Sequence, residues 1–164
     1  MKELKFNKEM QRAIDEGRKT QTRRVVMLEG VTKGEFYSIT SPKESLIELE
    51  ENEIIEKGTI HYLSTGGLSG GYECPYGKIG DINNGVKITG IRVERLQDIS
   101  SQEAVSEGIT WNQGEVWTMR LKQGLTDAYR SKFFDLWQSI YKDHPKKDWN
   151  LNPWVWVITF ESVK

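Results

Sequence analysis

Hydrophobic positions along this chain follow two rhythms. Met10, Ala13 and Ile14 lie at i, i+3 and i+4 between Phe6 and Glu16, the spacing of one buried helix stripe. Asn7 is a good N-cap for that helix, and Gly17 is the residue expected where the chain leaves it in a left-handed conformation. Tyr129, Phe133, Leu136 or Trp137, and Ile140 repeat the helical spacing between Leu125 and Tyr141. This predicts a long helix whose aromatic stripe is a core face rather than a base-stacking platform. Pro145 ends it. A third, short helix is predicted to open at Ser100-Ser101-Gln102-Glu103, which has the capping-box form Ser-x-x-Glu, and to close at Gly108. Glu107 then sits in its last turn.

Elsewhere the rhythm is that of strands. Lys2 to Phe6 alternates apolar and charged residues and predicts a short edge strand. Val25 to Leu28 and Phe36 to Ile39 are brief apolar runs. Ser45 to Tyr62 reads as a hairpin, with Leu46 to Leu49 and Ile54-Ile55 flanking an acidic turn; a helix over 43–57 is the alternative. The glycine-rich stretch Gly66 to Gly71 predicts a mobile surface loop. Its spacing matches neither the dinucleotide fingerprint nor the P-loop, although such a loop beside a site can act as a lid. Asn83-Asn84-Gly85 is a tight-turn signal. Val86 to Leu96 predicts a central strand whose apolar phase slips at Gly90, the mark of a bulge or barrel bend. Trp154 to Phe160 is apolar on both parities, so both its faces are expected to be covered, with its tryptophans in the core. Together these elements predict an α+β fold on a curled, mostly antiparallel sheet.

Composition narrows the function classes. At 164 residues and 37% hydrophobic content, one domain spanning residues 1–164 is expected. The net charge of −1 excludes a broadly basic nucleic-acid binder, so any such site must be local. Cys74 is the single cysteine, which rules out an internal disulfide and suggests a reducing, cytoplasmic setting. With only His61 and His144 beside it, no metal-ligand spacing is present, and no metal is expected. No apolar run approaches the length of a membrane span, so no membrane partner is expected.

Candidate chemistry concentrates in Gly17-Arg18-Lys19-Thr20-Gln21-Thr22-Arg23-Arg24. Cations at a helix exit are stabilised by the macrodipole, so a solvated exit is one reading. The other is a local site, because Lys19 and Thr22 would converge if the chain bends there. This stretch resembles the signature Gly-x-Lys-Thr-x-Thr-x-Arg of the ASCH domains, which are related to the PUA fold. Tyr76 to Asp81, Val93 to Ser100 and Asn152 to Ile158 are similar to blocks of phage and prophage ASCH proteins. After Gly80-Asp81 relatives continue with a strand of the type Leu-Trp-Val-Arg-Glu. Here only Ile82 remains, and the roles of that arginine and glutamate do not carry over.

The resemblance implies a PUA-like barrel with flanking helices, no cofactor, and RNA or a modified nucleoside as partner. Some ASCH proteins are similar to an amidohydrolase that deacetylates N(4)-acetylcytidine with lysine, threonine and glutamate. The resemblance puts these on Lys19, Thr22 and Glu107 as catalytic residues, with Arg18, Thr20, Arg23 and Arg24 as binding residues. A threonine needs a base, and a lysine serves only when burial or cations lower its pKa. A glutamate beside it works the other way. The alternative is a non-catalytic RNA-binding module in which the cations contact phosphates. A ribonuclease would lack the usual histidine pair.

Overall fold

The two-sided apolar strand lies inside the main sheet. In the computed structural model, which describes residues 1–27, 39–40, 59–64, 67–111 and 125–163, β7 (Trp154–Ser162) pairs with β1 (Gln21–Val25) on one side and β6 (Val86–Arg95) on the other. A two-residue strand, β5 (Ile82–Asn83), completes the order β1-β7-β6-β5, and every pairing is antiparallel. Trp156, Ile158 and Phe160 pack in one core cluster with Leu4, Ile14 and Ile88. Val155 and Val157 pack in a second with Leu96, Phe133 and Trp137. Period-two geometry sends alternate residues to opposite faces, so a strand covered on both must be apolar on both parities.

The curl has the expected cause. The β6–β7 register shifts between Ile88 and Gly90, leaving Thr89 as the extra residue of a bulge. Gly90 itself lies so close to Thr159 Oγ1 that a Cβ there would collide with it. Asn84 (φ +49) and Gly85 (φ +78) make the two-residue turn from β5 to β6, both left-handed as a type I′ turn requires. The α+β class and the curled antiparallel sheet are thus present.

Among the described residues three α-helices accompany the sheet: α1 (Lys8–Asp15), α2 (Ser101–Ser106) and α3 (Leu125–Tyr141). Asn7 caps α1 by accepting from the Met10 amide, and Ser100 with Glu103 forms a capping box on α2. On α3, Phe133 and Trp137 are buried in the second cluster, with Tyr129 and Leu136 packed at its margin, while Ile140 is exposed. Past its end, Pro145–Lys147 forms a 3-10 turn.

Two expectations need correction. Lys2 to Phe6 is not a strand: the Asn83 side chain takes the place of a neighbouring strand, accepting from the Leu4 amide at 3.0 Å and donating to the Lys2 carbonyl at 2.9 Å. The glycine-rich segment is not simply a loop. β4 (Gly67–Glu73) pairs with β3 (Thr59–Ser64), which pairs in turn with β2 (Ile39–Thr40). Glycine lacks a side chain but not ladder hydrogen bonds, and the partner strand supplies the β-branched and aromatic residues. The hairpin strands Leu46 to Leu49 and Ile54-Ile55 and the helical alternative over 43–57 lie outside the described residues.

Candidate functional site

Lys19 is placed by two helix ends. Gly17 (φ +71) turns the chain out of α1, and the amides of Arg18 and Lys19 both donate to the Ala13 carbonyl, at 2.8 and 3.0 Å. The reversal lays Lys19 beside the end of α2 as an isolated antiparallel bridge with Glu107. There α2 stops because Gly108 (φ +92) turns left-handed, with the Gly108 amide donating to Val105 and the Ile109 amide to Ala104. A Cβ at position 108 would stand 3.2 Å from Lys19 Cβ, so glycine is also what lets the lysine stem pass.

Lys19 is 3% exposed and Glu107 6%. Lys19 Nζ donates to Glu107 Oε2 at 3.0 Å, to the Glu107 carbonyl at 2.7 Å and to the Gln21 carbonyl at 2.9 Å. Three acceptors match the three hydrogens of an ammonium, so this is the geometry of a charged lysine. Burial nonetheless pushes its pKa below the usual lysine value; Glu107 pulls it back up, and Arg24 and Arg23 push it further down. Burial prevails in the contest that the sequence leaves open.

Glu107 serves a second cation. Its Oε1 lies 3.2 Å from Arg23 Nη1, and Arg23 Nη2 lies 3.1 Å from Glu94 and 3.2 Å from Glu103. Arg92 also pairs with Glu94 and Glu103. A carboxylate at a helix C-terminus faces the negative end of the macrodipole, and here two buried cations offset that. The resemblance makes Arg23 a binding residue, which in an RNA-binding module would contact phosphates. Arg23 is instead 1% exposed and held by three glutamates.

The other cluster members divide. Arg24 is half-buried and donates through Nη1 to Thr22 Oγ1 at 2.6 Å and through Nη2 to the Lys5 carbonyl at 2.9 Å. Thr22 is buried, whereas Arg18 and Thr20 are exposed, and Arg18 pairs with Glu16 at 2.5 Å.

Lys19, Thr22 and Glu107 border one cavity of about 30 Å³, together with Arg23, Arg24 and the α3 residues Phe133, Trp137 and Tyr141. Lys19 and Glu107 also wall a cleft of about 440 Å³ between α1 and α3, where Arg18, Thr110 and Lys132 join them. Thr22 lines the small cavity and not the cleft. Sequence reasoning missed Tyr141, whose phenol burial pushes to a higher pKa while Arg24 opposes and Glu107 adds to the rise. Its position on the aromatic stripe of α3 hid it among core residues.

Among the described residues no group of three His, Cys, Asp or Glu is placed to hold a metal, and no helix is long and apolar enough to cross a membrane. No family model matches this chain, and no curated protein or solved structure does either.

Proposed function

We propose that this chain is a PUA-like ASCH protein acting as an amidohydrolase on an N-acylated nucleoside of the cytidine type. The observation that supports this reading most is the shared border: Lys19, Thr22 and Glu107 line one small cavity, and two of them open onto a cleft of about 440 Å³. That volume lies within the range of small-molecule sites, roughly 300–1,000 Å³.

The nucleoside occupies the cleft and directs its acyl group to the cavity. Lys19, with its pKa lowered by burial, releases one ammonium proton to solvent before the substrate reacts, and as the neutral amine it takes the Thr22 hydroxyl proton. Thr22 Oγ1 bonds to the acyl carbon, and Arg24, already donating to that oxygen, stabilises the charge on it as the proton leaves. The C–N bond then breaks, Lys19 returns the proton to the departing amine, and water hydrolyses the threonine ester. Glu107 orients Lys19 throughout. The RNA-binding alternative draws less support, because Arg23 is buried where no nucleic-acid backbone reaches it and Arg24 is half-buried beside Thr22 and Lys5.

The test is acetate release from N(4)-acetylcytidine. Wild-type protein should turn over, Thr22→Val and Lys19→Met should lose activity by several orders of magnitude because base and nucleophile act as a unit, and Thr22→Ser should retain part of it. A folded wild-type protein inert toward a panel of acylated nucleosides would overturn the reading.

A further inference from the structure

The charges around the small cavity do not cancel. Lys19, Arg23 and Arg92 are ion-paired with Glu94, Glu103 and Glu107, three cations with three carboxylates, and Arg24, which lines the cavity beside Lys19, Arg23 and Glu107, joins none of these pairs, so one positive charge is left over. It resides on Arg24. The hydrogen bonds of Arg24 end on Thr22 Oγ1 and on the carbonyls of Arg23 and Lys5, all neutral acceptors. A second observation points to the same space. Arg23 lines the cavity with a fully buried side chain, yet its Nε–H has no hydrogen-bond partner. Buried donors of charged groups are rarely left unmet, and a bound anion is one group that can meet such a donor.

We infer that this cavity is a binding site for the carboxylate of a small monocarboxylic acid, of formate or acetate size. A planar anion suits the donors available: a guanidinium N–H from Arg23, the unpaired charge of Arg24 and the hydroxyl of Thr22. At about 30 Å³ the cavity takes one or two water-sized groups, which matches the two oxygens of a carboxylate better than the four of a phosphate. Glu107 also lines the cavity, but Lys19 and Arg23 occupy its two oxygens at 3.0 and 3.2 Å, which blunts its repulsion. The inference stands on the cavity's own donors. In the proposed reaction the same place receives the released acid, which would make the acid a product inhibitor.

The experiment titrates the full chain with sodium formate, against sodium chloride and sodium phosphate at matched ionic strength. Tryptophan fluorescence reads binding, since Trp137 lines the cavity, and Tm provides a second readout. Formate should bind saturably and raise Tm, with neither control doing so. Arg24→Ala should weaken formate binding tenfold or more, and Arg24→Lys should fall between, because it keeps the charge and loses the fork. A formate response equal to that of chloride, or unchanged affinity in folded Arg24→Ala, would overturn the site. A protein that binds formate but releases no acetate from N(4)-acetylcytidine would sink the hydrolase reading and leave this site standing.

Discussion

Lys19 meets Glu107 through both side chain and backbone: its ammonium donates to Oε2 and to the carbonyl of the same residue, and the two residues also pair as an isolated bridge. Removing either partner leaves a buried charge short of a counter-charge, which typically costs about 3–5 kcal/mol.

The first prediction is a coupling. Lys19→Met and Glu107→Leu should each destabilise the protein strongly in urea titrations. The double variant should cost less than their sum, by about 1–3 kcal/mol, because neither charge is then stranded by loss of the other. Arg23 keeps Glu94 and Glu103 in all three variants, so it does not erase the effect. Additivity within about 0.5 kcal/mol would mean that the two side chains are energetically independent.

Much of the frame that positions this pair was legible, because its signals are local. The capping box at Ser100, the left-handed exits at Gly17 and Gly108 and the turn at Asn84-Gly85 each need only a few neighbouring residues. The slip at Gly90 was visible as a change of apolar phase. The fate of Arg23 was not. Its partners come from positions 94, 103 and 107, on β6, in α2 and at the end of α2, and only the folded chain assembles them. A hint was present: Glu103 and Glu107 are spaced i, i+4 and so share one helix face. Read together, they form a two-carboxylate receptor for a cation. Lys2 to Phe6 misled for another reason, since alternation reports which side chains are buried but not what satisfies the backbone.

The second prediction concerns pH. Burial pushes the Cys74 thiol up from 9.0 to about 11, with a backbone hydrogen bond from Tyr76 working the other way. A raised folded-state pKa contributes stability that is fully present below pH 9. It is lost as pH rises toward 11, because over that window the unfolded chain has shed the proton and the folded chain has not. The contribution is about 2–3 kcal/mol at most. Wild-type stability should therefore fall across pH 9–11 more steeply than that of Cys74→Ala. Tyr141, also raised by burial, weakens both proteins alike, whereas the Tyr76 phenol, raised by burial with Cys74 adding to the rise, depends in part on Cys74, so the difference between the two curves reports the thiol together with its effect on Tyr76. Parallel curves would show that Cys74 does not ionise differently on unfolding.

The third prediction tests the side chain that stands in for a missing strand. Asn83 is buried at the edge of the sheet, and it uses both ends of its amide. Oδ1 accepts from the Leu4 amide at 3.0 Å, while Nδ2 donates to the carbonyls of Lys2 at 2.9 Å and Tyr76 at 2.7 Å. Leu4 itself is fully buried in the core cluster with Ile14 and Trp156, so its amide cannot turn to water without dragging an apolar side chain out. Asn83→Ala leaves three backbone groups without their partner, those of Leu4 and Tyr76 in buried bonds and that of Lys2 in a part-buried one, and each unmet buried group costs about 1–3 kcal/mol. A loss of about 3 kcal/mol or more is therefore expected. Asn83→Asp discriminates between shape and hydrogen bonding: it is nearly isosteric and still accepts from Leu4, but it cannot donate to Lys2 and Tyr76 and sets a carboxylate against their oxygens. Asp should accordingly be about as damaging as Ala, and hydrogen exchange at the Leu4 amide should accelerate in both. An Asp variant as stable as wild type, with Leu4 still protected, would mean that the donor half of Asn83 contributes nothing and that packing alone holds the N-terminal segment to the sheet.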